Sequence, residues 1–304
     1  MTWATIILVV AVVLGWGYYF LAGLAARRLI HIKRVTEHTL RREGKNPKTP
    51  QSLGMDFERW EIPSFDGVVL AAWWLEGPFA DAPTIVLLHG MHMSRVLFVG
   101  PAKELRDRGF HVFLPDLRAH GESGGERCTF GDLEARDLSV MLDYIAQKKG
   151  IQRFGLWGIS LGGIVGLRAA AREPRIRALV VQSPYTSLTA IVALHMNRVS
   201  GLLPLLLMPA LKARLKSVSG VNADKVDLLA AAAEIEIPVM FVAGDNDQEV
   251  PIAETEEVIK AARRSPDVRR LVVRGAGHNN IHKVGGEDFW QNITGFFNQY
   301  LRAQ

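Results

Sequence analysis

Ser160 stands between two glycines, in a sequence context that could support nucleophilic chemistry. Ser160 lies between Gly158 and Gly162, with an apolar run before it and a segment of helical spacing after it. A serine nucleophile must project its hydroxyl from a sharp strand-to-helix turn, where a neighbouring Cβ would not fit. An ordinary glycine turn is the alternative. The strand before the pentapeptide and the helix after it favour Ser160 as the nucleophile.

The elements around this turn predict an α/β-hydrolase fold. Two strand-like runs, at 57–63 and 68–76, flank Asp66-Gly67, a dipeptide typical of hairpin turns. Short apolar runs then alternate with helical segments, which indicates a mostly parallel sheet covered by helices on both faces. These runs are Thr84–Leu88, His111–Pro115, Arg153–Trp157, Ala178–Val181, Val239–Ala243 and Leu271–Val273.

A long interval, residues 186–235, interrupts this alternation because it contains no clear strand. It includes the uncharged run Gly201–Leu211, which Lys212, Arg214 and Lys216 follow. Segments of this length inside a compact domain are usually functional or carry structure of their own. We therefore expect a helical cap over the active site, whose leucines line an acyl tunnel or contact a bilayer.

A serine hydroxyl needs a general base, and the predicted fold places that base after the nucleophile and the acid along the chain. Three histidines follow Ser160. His195 lies in the interval of the cap and precedes the acidic candidates, whereas His282 is expected at the surface or behind the site. His278 follows a predicted strand through a glycine-containing loop, so it is the candidate base.

Two aspartates follow the predicted strand Val239–Ala243, and either could orient the base. Asp247 can turn back towards His278, and it is the candidate acid. Asp245 is expected to hold the loop through side-chain to backbone hydrogen bonds.

The oxyanion that forms during acyl transfer needs backbone N–H donors, and no cofactor is required. We expect these donors at Leu161, directly after the nucleophile, and at Met91, in the turn after Thr84–Leu88. His89, in the same turn, is expected to stabilise the loop.

Cys128 is the single cysteine, which excludes an intrachain disulfide and a thiolate zinc site. No metal or cofactor is predicted.

From about Met55 to its end, the chain resembles the α/β-hydrolase superfamily, in particular its membrane-anchored abhydrolase-domain and prolyl-oligopeptidase-like branches. The segments that carry the resemblance are Phe65–Trp74, Leu88–Gly90, Pro115–Ser123, Gly158–Gly163, Gly244–Pro251 and Gly275–His278. The resemblance implies a Ser160–His278–Asp247 triad that transfers acyl groups to water. Many relatives have glycine where this chain has Ala119, which is a departure in the turn after Asp116.

The first residues predict a membrane anchor. Residues 2–26 contain no charged side chain. This uncharged run is longer than the roughly 20 residues needed to cross a bilayer. A cleaved signal peptide and a buried core helix are the alternatives. A signal peptide carries positive charge before its apolar run, whereas here Arg27, Arg28, Lys33 and Arg34 follow it. This asymmetry predicts a single-pass helix at 1–26, with the following domain in the cytoplasm.

Residues 27–54 are predicted to be a basic juxtamembrane segment and linker, and residues 55–304 to be the catalytic domain. The net charge of +5 is concentrated in that basic segment, which lacks interleaved aromatic residues and so indicates a membrane flank, not a nucleic-acid site. Because the first strand starts near Phe57, the anchor is not expected to contribute to the chemistry.

These features predict a serine hydrolase that cleaves acyl esters or thioesters of small molecules or lipids near a membrane. A peptidase or amidase is the second hypothesis, and it would need a site for a peptide amine. A non-catalytic binding protein on the same fold is the third. The fold itself does not identify the substrate.

Overall fold

A computed structural model describes residues 2–302; Met1 and residues 303–304, which the predicted domains 1–26 and 55–304 include, lie outside the described part. Eight strands form one sheet in the order β1-β2-β4-β3-β5-β6-β7-β8. The strands are β1 Glu58–Pro63, β2 Val69–Leu75, β3 Thr84–Leu88, β4 His111–Pro115, β5 Phe154–Ile159, β6 Ile176–Gln182, β7 Val239–Gly244 and β8 Val268–Val273.

Strand β2 is antiparallel to both of its neighbours, and all pairs from β4 to β8 are parallel. The helices are α1 Trp3–Ile30, α2 Glu37–Arg42, α3 Val99–Asp107, α4 Asp132–Lys149, α5 Leu161–Ala170, α6 Leu188–Asn197, α7 Leu203–Ser219, α8 Leu228–Ala233, α9 Ile252–Ala261, α10 Ile281–Val284 and α11 Gly286–Leu301. The predicted α/β-hydrolase fold, a mostly parallel sheet with flanking helices, is confirmed.

The apolar runs form strands because the sheet is buried on both faces. In β5, Leu156 packs into the core on one side of the sheet and Trp157 packs into the core on the other side, and both are fully buried. Each large apolar side chain buried in this way contributes on the order of 1.5–3 kcal/mol of transfer free energy. Polar alternation along the central strands would therefore be destabilising, which explains their continuous apolar pattern.

The interval between β6 and β7 consists mainly of helices α6, α7 and α8. Helix α7 buries Leu211 and Leu215 in the core, whereas Leu205 and Leu206, one to two turns earlier, are exposed. The apolar run Gly201–Leu211 is therefore divided between a buried end and an end that faces outwards.

Helix α1 is a 28-residue apolar helix with two different environments. Its apolar window has a mean hydropathy of 2.2, so by length and composition it could span a membrane. Residues 2–21 are exposed throughout, whereas Ala22, Gly23, Ala26 and Ile30 are buried. The small side chains at Ala22, Gly23 and Ala26 let α1 pack closely along α7.

The segment predicted as a linker, residues 27–54, instead packs on the domain. It contains the last turn of α1, then α2, whose Thr36 accepts a hydrogen bond from the Thr39 backbone N–H, and a 3-10 turn at Gln51–Leu53. Within this segment, Leu40 of α2 is buried. The polar composition of this segment concealed a few apolar anchoring positions, which suffice to fold it against the domain.

Candidate active site

Ser160 occupies a strained turn between β5 and α5. Its φ is +52° and its ψ is −112°, a backbone conformation that non-glycine residues rarely adopt. A Cβ at Gly158 would overlap the Gly162 carbonyl, and a Cβ at Gly162 would overlap the Leu88 carbonyl at the end of β3. Both glycines are therefore required by the close approach of backbones around the serine.

Asp247 and His278 are joined by a hydrogen bond. The His278 Nδ1–H donates to Asp247 Oδ2 over 2.8 Å, and both side chains are almost completely buried. The other carboxylate oxygen, Oδ1, accepts the backbone N–H groups of Glu249 and Val250 at 2.9 and 2.8 Å. Asp247 is thus fixed in orientation, and it holds the imidazole in the tautomer that leaves Nε2 free to accept a proton.

In this pair, the pKa of Asp247 is lowered and the pKa of His278 is raised. Burial opposes ionisation of Asp247, but the hydrogen bond and charge of His278 outweigh it and hold the pKa of Asp247 below its ordinary value. Burial likewise disfavours the charged form of His278, but the hydrogen bond and charge of Asp247, with the charge of Glu249, raise the pKa of His278. An imidazole whose cation is stabilised in this way is suited to accept a proton from a nucleophile.

Asp245 has a different environment, as the sequence predicted. It is exposed, and its Oδ1 accepts the Gly275 backbone N–H at 2.6 Å. This bond ties the loop after β7 to the loop that carries His278. The same two loops meet at Gly244, where a Cβ would overlap the Ala276 carbonyl.

Ser160 and His278 line one cavity of about 160 Å³. The His278 ring is hydrogen-bonded to Asp247, and the Ser160 hydroxyl makes no hydrogen bond to it in this structure. Such contacts are often long in free enzymes and shorten when substrate binds. Side chains from several elements complete the wall, and these include Leu29, Met93, Phe130, Tyr185, Leu188, Ile191 and Val192. The cavity is predominantly apolar.

Met91 and Leu161 also line this cavity. Across residues 2–302, neither of their backbone N–H groups has a hydrogen-bond acceptor. The Met91 turn lies beside the nucleophile, because a Cβ at Gly90 would come to 3.5 Å from Ser160 Cβ. Two free donors beside a serine hydroxyl can stabilise an oxyanion.

His89 supports this turn from behind. Its Nε2 accepts the Leu117 backbone N–H at 3.0 Å, and its Nδ1 bonds the Gly90 carbonyl at 2.8 Å. Burial lowers the pKa of His89 well below its usual range, as does the neighbouring His120. A neutral, fully bonded imidazole of this kind holds the loop and takes no part in proton transfer.

Ala119 adopts a left-handed backbone conformation despite having a side chain. Its φ is +63°, in the region that glycine adopts without strain. Asp116 stabilises the same turn by accepting the backbone N–H groups of Arg95 and Glu122, each at 2.8 Å. Alanine at this position therefore carries backbone strain that glycine would not.

Several residues of the cavity were not predicted from the sequence, and three of them add charge, an imidazole or a wall from a distant element. Glu249 comes within 3.9 Å of His278 Nε2, and His195 contributes a second imidazole from α6. Leu29 comes from the last turn of α1, within the segment 27–54 that was predicted as a linker, because the helix continues from the exposed residues onto the domain. The run Gly201–Leu211 was expected to line an acyl tunnel or contact a bilayer; among its described side chains, no leucine is in the cavity lining, and α6 supplies that wall.

Within the described residues, no group of three or more His, Cys, Asp or Glu side chains is placed to hold a metal ion. Cys128 is buried. The sheet order, the strained serine turn and the Asp247–His278 pair together define the class of this protein as an α/β-hydrolase-fold protein.

Comparisons with known proteins identify the families and proteins to which this chain is similar. A family model described as alpha/beta hydrolase fold matches residues 83–217. The alpha/beta hydrolase domain-containing protein WAV2 of Arabidopsis thaliana is 27% identical over 308 residues, which cover 94% of this chain and 93% of the relative. A putative carbamate hydrolase, RutD of Agrobacterium fabrum, is 34% identical over 97 residues, which cover 32% of this chain and 36% of the relative.

Among solved structures, the Pyrococcus furiosus esterase Pf2001 superimposes with a TM-score of 0.72 at 24% identity, covering 90% of this chain and 99% of the esterase. The chain therefore has the α/β-hydrolase fold and is similar to proteins described as alpha/beta hydrolases. These comparisons support a hydrolase.

The different environments of the two aspartates predict different effects of the same substitution. Asp247→Asn should lower kcat by about 10²–10⁴-fold, because an amide favours the wrong imidazole tautomer. Asp245→Asn should leave kcat within about tenfold and lower the free energy of unfolding by about 1 kcal/mol or less, because the amide oxygen still accepts the Gly275 N–H but without the negative charge. Ester kinetics and thermal melting of both variants test this. A collapse of activity in Asp245→Asn alone would reverse the assignment.

Glu249 should shift the pH dependence of the reaction. Its negative charge raises the pKa of His278, so Glu249→Gln should lower that pKa and leave the base unprotonated at lower pH. The acid limb of kcat/KM should therefore move to lower pH, and less so at high salt. Glu257→Gln, on the outside of α9, serves as the control. A limb that stays in place, or moves to higher pH, contradicts this role.

Proposed function

We propose that this protein is a membrane-associated serine hydrolase that cleaves acyl esters or thioesters through Ser160, His278 and Asp247. The observation that supports this most directly is the buried Asp247–His278 hydrogen bond beside a cavity into which the strained Ser160 turn opens. A base oriented by an acid, next to a serine on a tight turn, is the arrangement that acyl transfer to water requires.

In the proposed reaction, Ser160 Oγ attacks the substrate carbonyl carbon while His278 Nε2 accepts the hydroxyl proton. The carbonyl oxygen becomes an oxyanion, which the backbone N–H groups of Met91 and Leu161 stabilise. His278 then protonates the leaving alcohol or thiol, and an acyl-Ser160 ester remains. Water attacks this ester with His278 again accepting a proton, and the carboxylic acid leaves as the serine hydroxyl is restored.

The apolar lining favours an acyl chain as the group held in the cavity. Leu188, Ile191 and Val192 from α6 and Met93 from the loop after β3 contribute hydrocarbon surface around the nucleophile. Each methylene transferred from water to such a surface contributes about 0.8 kcal/mol. This supports small-molecule or lipid acyl substrates over polar ones.

One observation favours a peptidase or amidase as a second candidate. Glu249 lies on the cavity wall with more than half of its side chain exposed, close to His278. A carboxylate in this position could pair with the ammonium group of an aminoacyl substrate. Aminoacyl p-nitroanilides, set beside p-nitrophenyl esters, distinguish the two activities.

Ser160→Ala should abolish labelling by a fluorophosphonate probe and lower ester turnover by about 10³-fold or more, because the covalent step is lost. The variant should melt at nearly the wild-type temperature, since the methyl group fits where the hydroxyl was. Wild-type protein should turn over p-nitrophenyl esters of increasing chain length faster than aminoacyl p-nitroanilides. Undiminished turnover in a folded Ser160→Ala variant would falsify the mechanism, and faster anilide cleavage would favour the amidase.

We also propose that α1 anchors the enzyme in a membrane with the catalytic domain on the cytoplasmic side. The support is the exposed apolar surface of residues 2–21 and the basic residues Arg27, Arg28 and Lys33 that follow. Protease added to intact spheroplasts should leave the domain undigested, and digestion should begin once the membrane is opened. Digestion with the membrane sealed contradicts the orientation, and a mature protein lacking α1 indicates a signal peptide.

A further inference from the structure

Helix α1 changes environment after Leu21. The part before this point is exposed, whereas the part after it packs against the core of the domain. The exposed part, from Trp3 to Leu21, is about 28 Å long at 1.5 Å per residue, close to the roughly 30 Å of a bilayer core. The part from Ala22 to Ile30 buries one face against the domain. The same rigid helix therefore belongs to two environments, with no flexible joint between them.

Contacts with α7 hold α1 on the domain. The Tyr18 hydroxyl donates to the Leu206 carbonyl at 2.6 Å, and the Arg214 guanidinium lies 4.7 Å from the centre of the Tyr19 ring. At Gly23, a Cβ would come to 2.8 Å from Arg214 Nε. Both helices therefore run in the same direction, and their contact begins within the exposed part of α1.

The chain after α1 is held just as closely. The Ile30 carbonyl accepts the Cys128 backbone N–H at 3.0 Å. Arg34 donates to the carbonyls of Gly121, Ser123 and Gly125, at 3.1 Å for Gly121 and 2.7 Å for Gly125. These bonds fix α1 against the loop that follows β4 and leave it little freedom to slide.

Leu29 lies between these two attachments and faces the catalytic cavity. It lines the same space as Ser160 and His278, together with Leu188, Ile191 and Val192 of α6. A leucine in a wall of this kind can contact the chain attached to the carbonyl group that the nucleophile attacks.

We propose that the end of α1 is a built-in wall of the active site, and that Leu29 is a specificity-determining residue that contacts the acyl chain of the substrate. The inference rests on the proposed ester hydrolysis at Ser160. The helix that enters the bilayer thus also shapes the pocket, so the site lies where α1 leaves the membrane. The substrate class this favours is an acyl ester whose chain resides in the same membrane.

The first experiment changes the wall in the full-length protein in membranes. Leu29→Trp should lower kcat/KM for a dodecanoyl ester by about tenfold or more and change that for an acetate ester by no more than about twofold, since only the long chain reaches the wall. Leu24→Trp, on an exposed face of α1, is the matched control. It should leave kcat/KM unchanged for both esters. Equal losses for both esters in Leu29→Trp would overturn the proposal.

A second experiment avoids dependence on how a variant folds. Leu29→Cys can be alkylthiolated with hexyl methanethiosulfonate, and turnover can be measured on the same sample before labelling, after it and after dithiothreitol. Background labelling should be low because Cys128 is buried, which raises the pKa of its thiol. The hexyl group should reversibly inhibit dodecanoyl hydrolysis by about tenfold and acetate hydrolysis by at most about twofold. Labelling of Leu24→Cys should have no effect.

The two levels of the argument fail differently. If fluorophosphonate labelling and acetate hydrolysis are absent from the wild-type protein, the proposed ester hydrolysis fails. If both are present, and the ratio of long-chain to short-chain turnover is the same in the Leu29 and Leu24 variants, then the serine chemistry stands and the wall at Leu29 is refuted.

Discussion

The close approach of three backbones around Ser160 is the constraint on which the rest of the site depends. The carbonyls of Gly162 and Leu88 occupy the space that side chains at Gly158 and Gly162 would need. The Ser160 backbone N–H is also bonded to the Gln182 carbonyl at the end of β6. The ends of β3, β5 and β6 are therefore brought together at one point. The turn that contains Met91 directly follows β3, and it therefore lies beside Ser160.

Buried charges then fix the loops that surround this point. Arg95 is almost wholly buried, pairs with Asp116 at 2.5 Å and stacks 4.6 Å from the Trp73 ring. Burial raises the pKa of Asp116 to about 6, against the opposing charge of Arg95. Removal of either partner would leave an uncompensated buried charge, which is strongly destabilising. The pair therefore favours the observed position of the loop after β4, in which both buried charges have a partner.

The sequence predicted those parts of the molecule that local physics determines. The strands follow from their continuous apolar runs, and β3 and β4 have the predicted bounds. The glycines around Ser160 and the different environments of Asp245 and Asp247 follow from turn chemistry. The contributions of Leu29, His195 and Glu249 to the cavity could not be found in this way, since they depend on how distant elements pack. Arg34 was predicted as one membrane-flanking charge among several, and only the tertiary structure reveals its three carbonyl partners.

A rigid connection between anchor and catalytic domain has different physical consequences from a flexible one. A flexible tether raises the local concentration of the enzyme at the membrane but leaves its orientation free. Here α1 continues as one helix from its exposed part into the core, and Arg34 binds the loop after β4. That loop contains Leu117, whose N–H donates to His89 in the turn that contains Met91. The contacts that hold α1 and those that hold this turn thus share one loop, so the proposed membrane orientation and the geometry of the site have a common structural support.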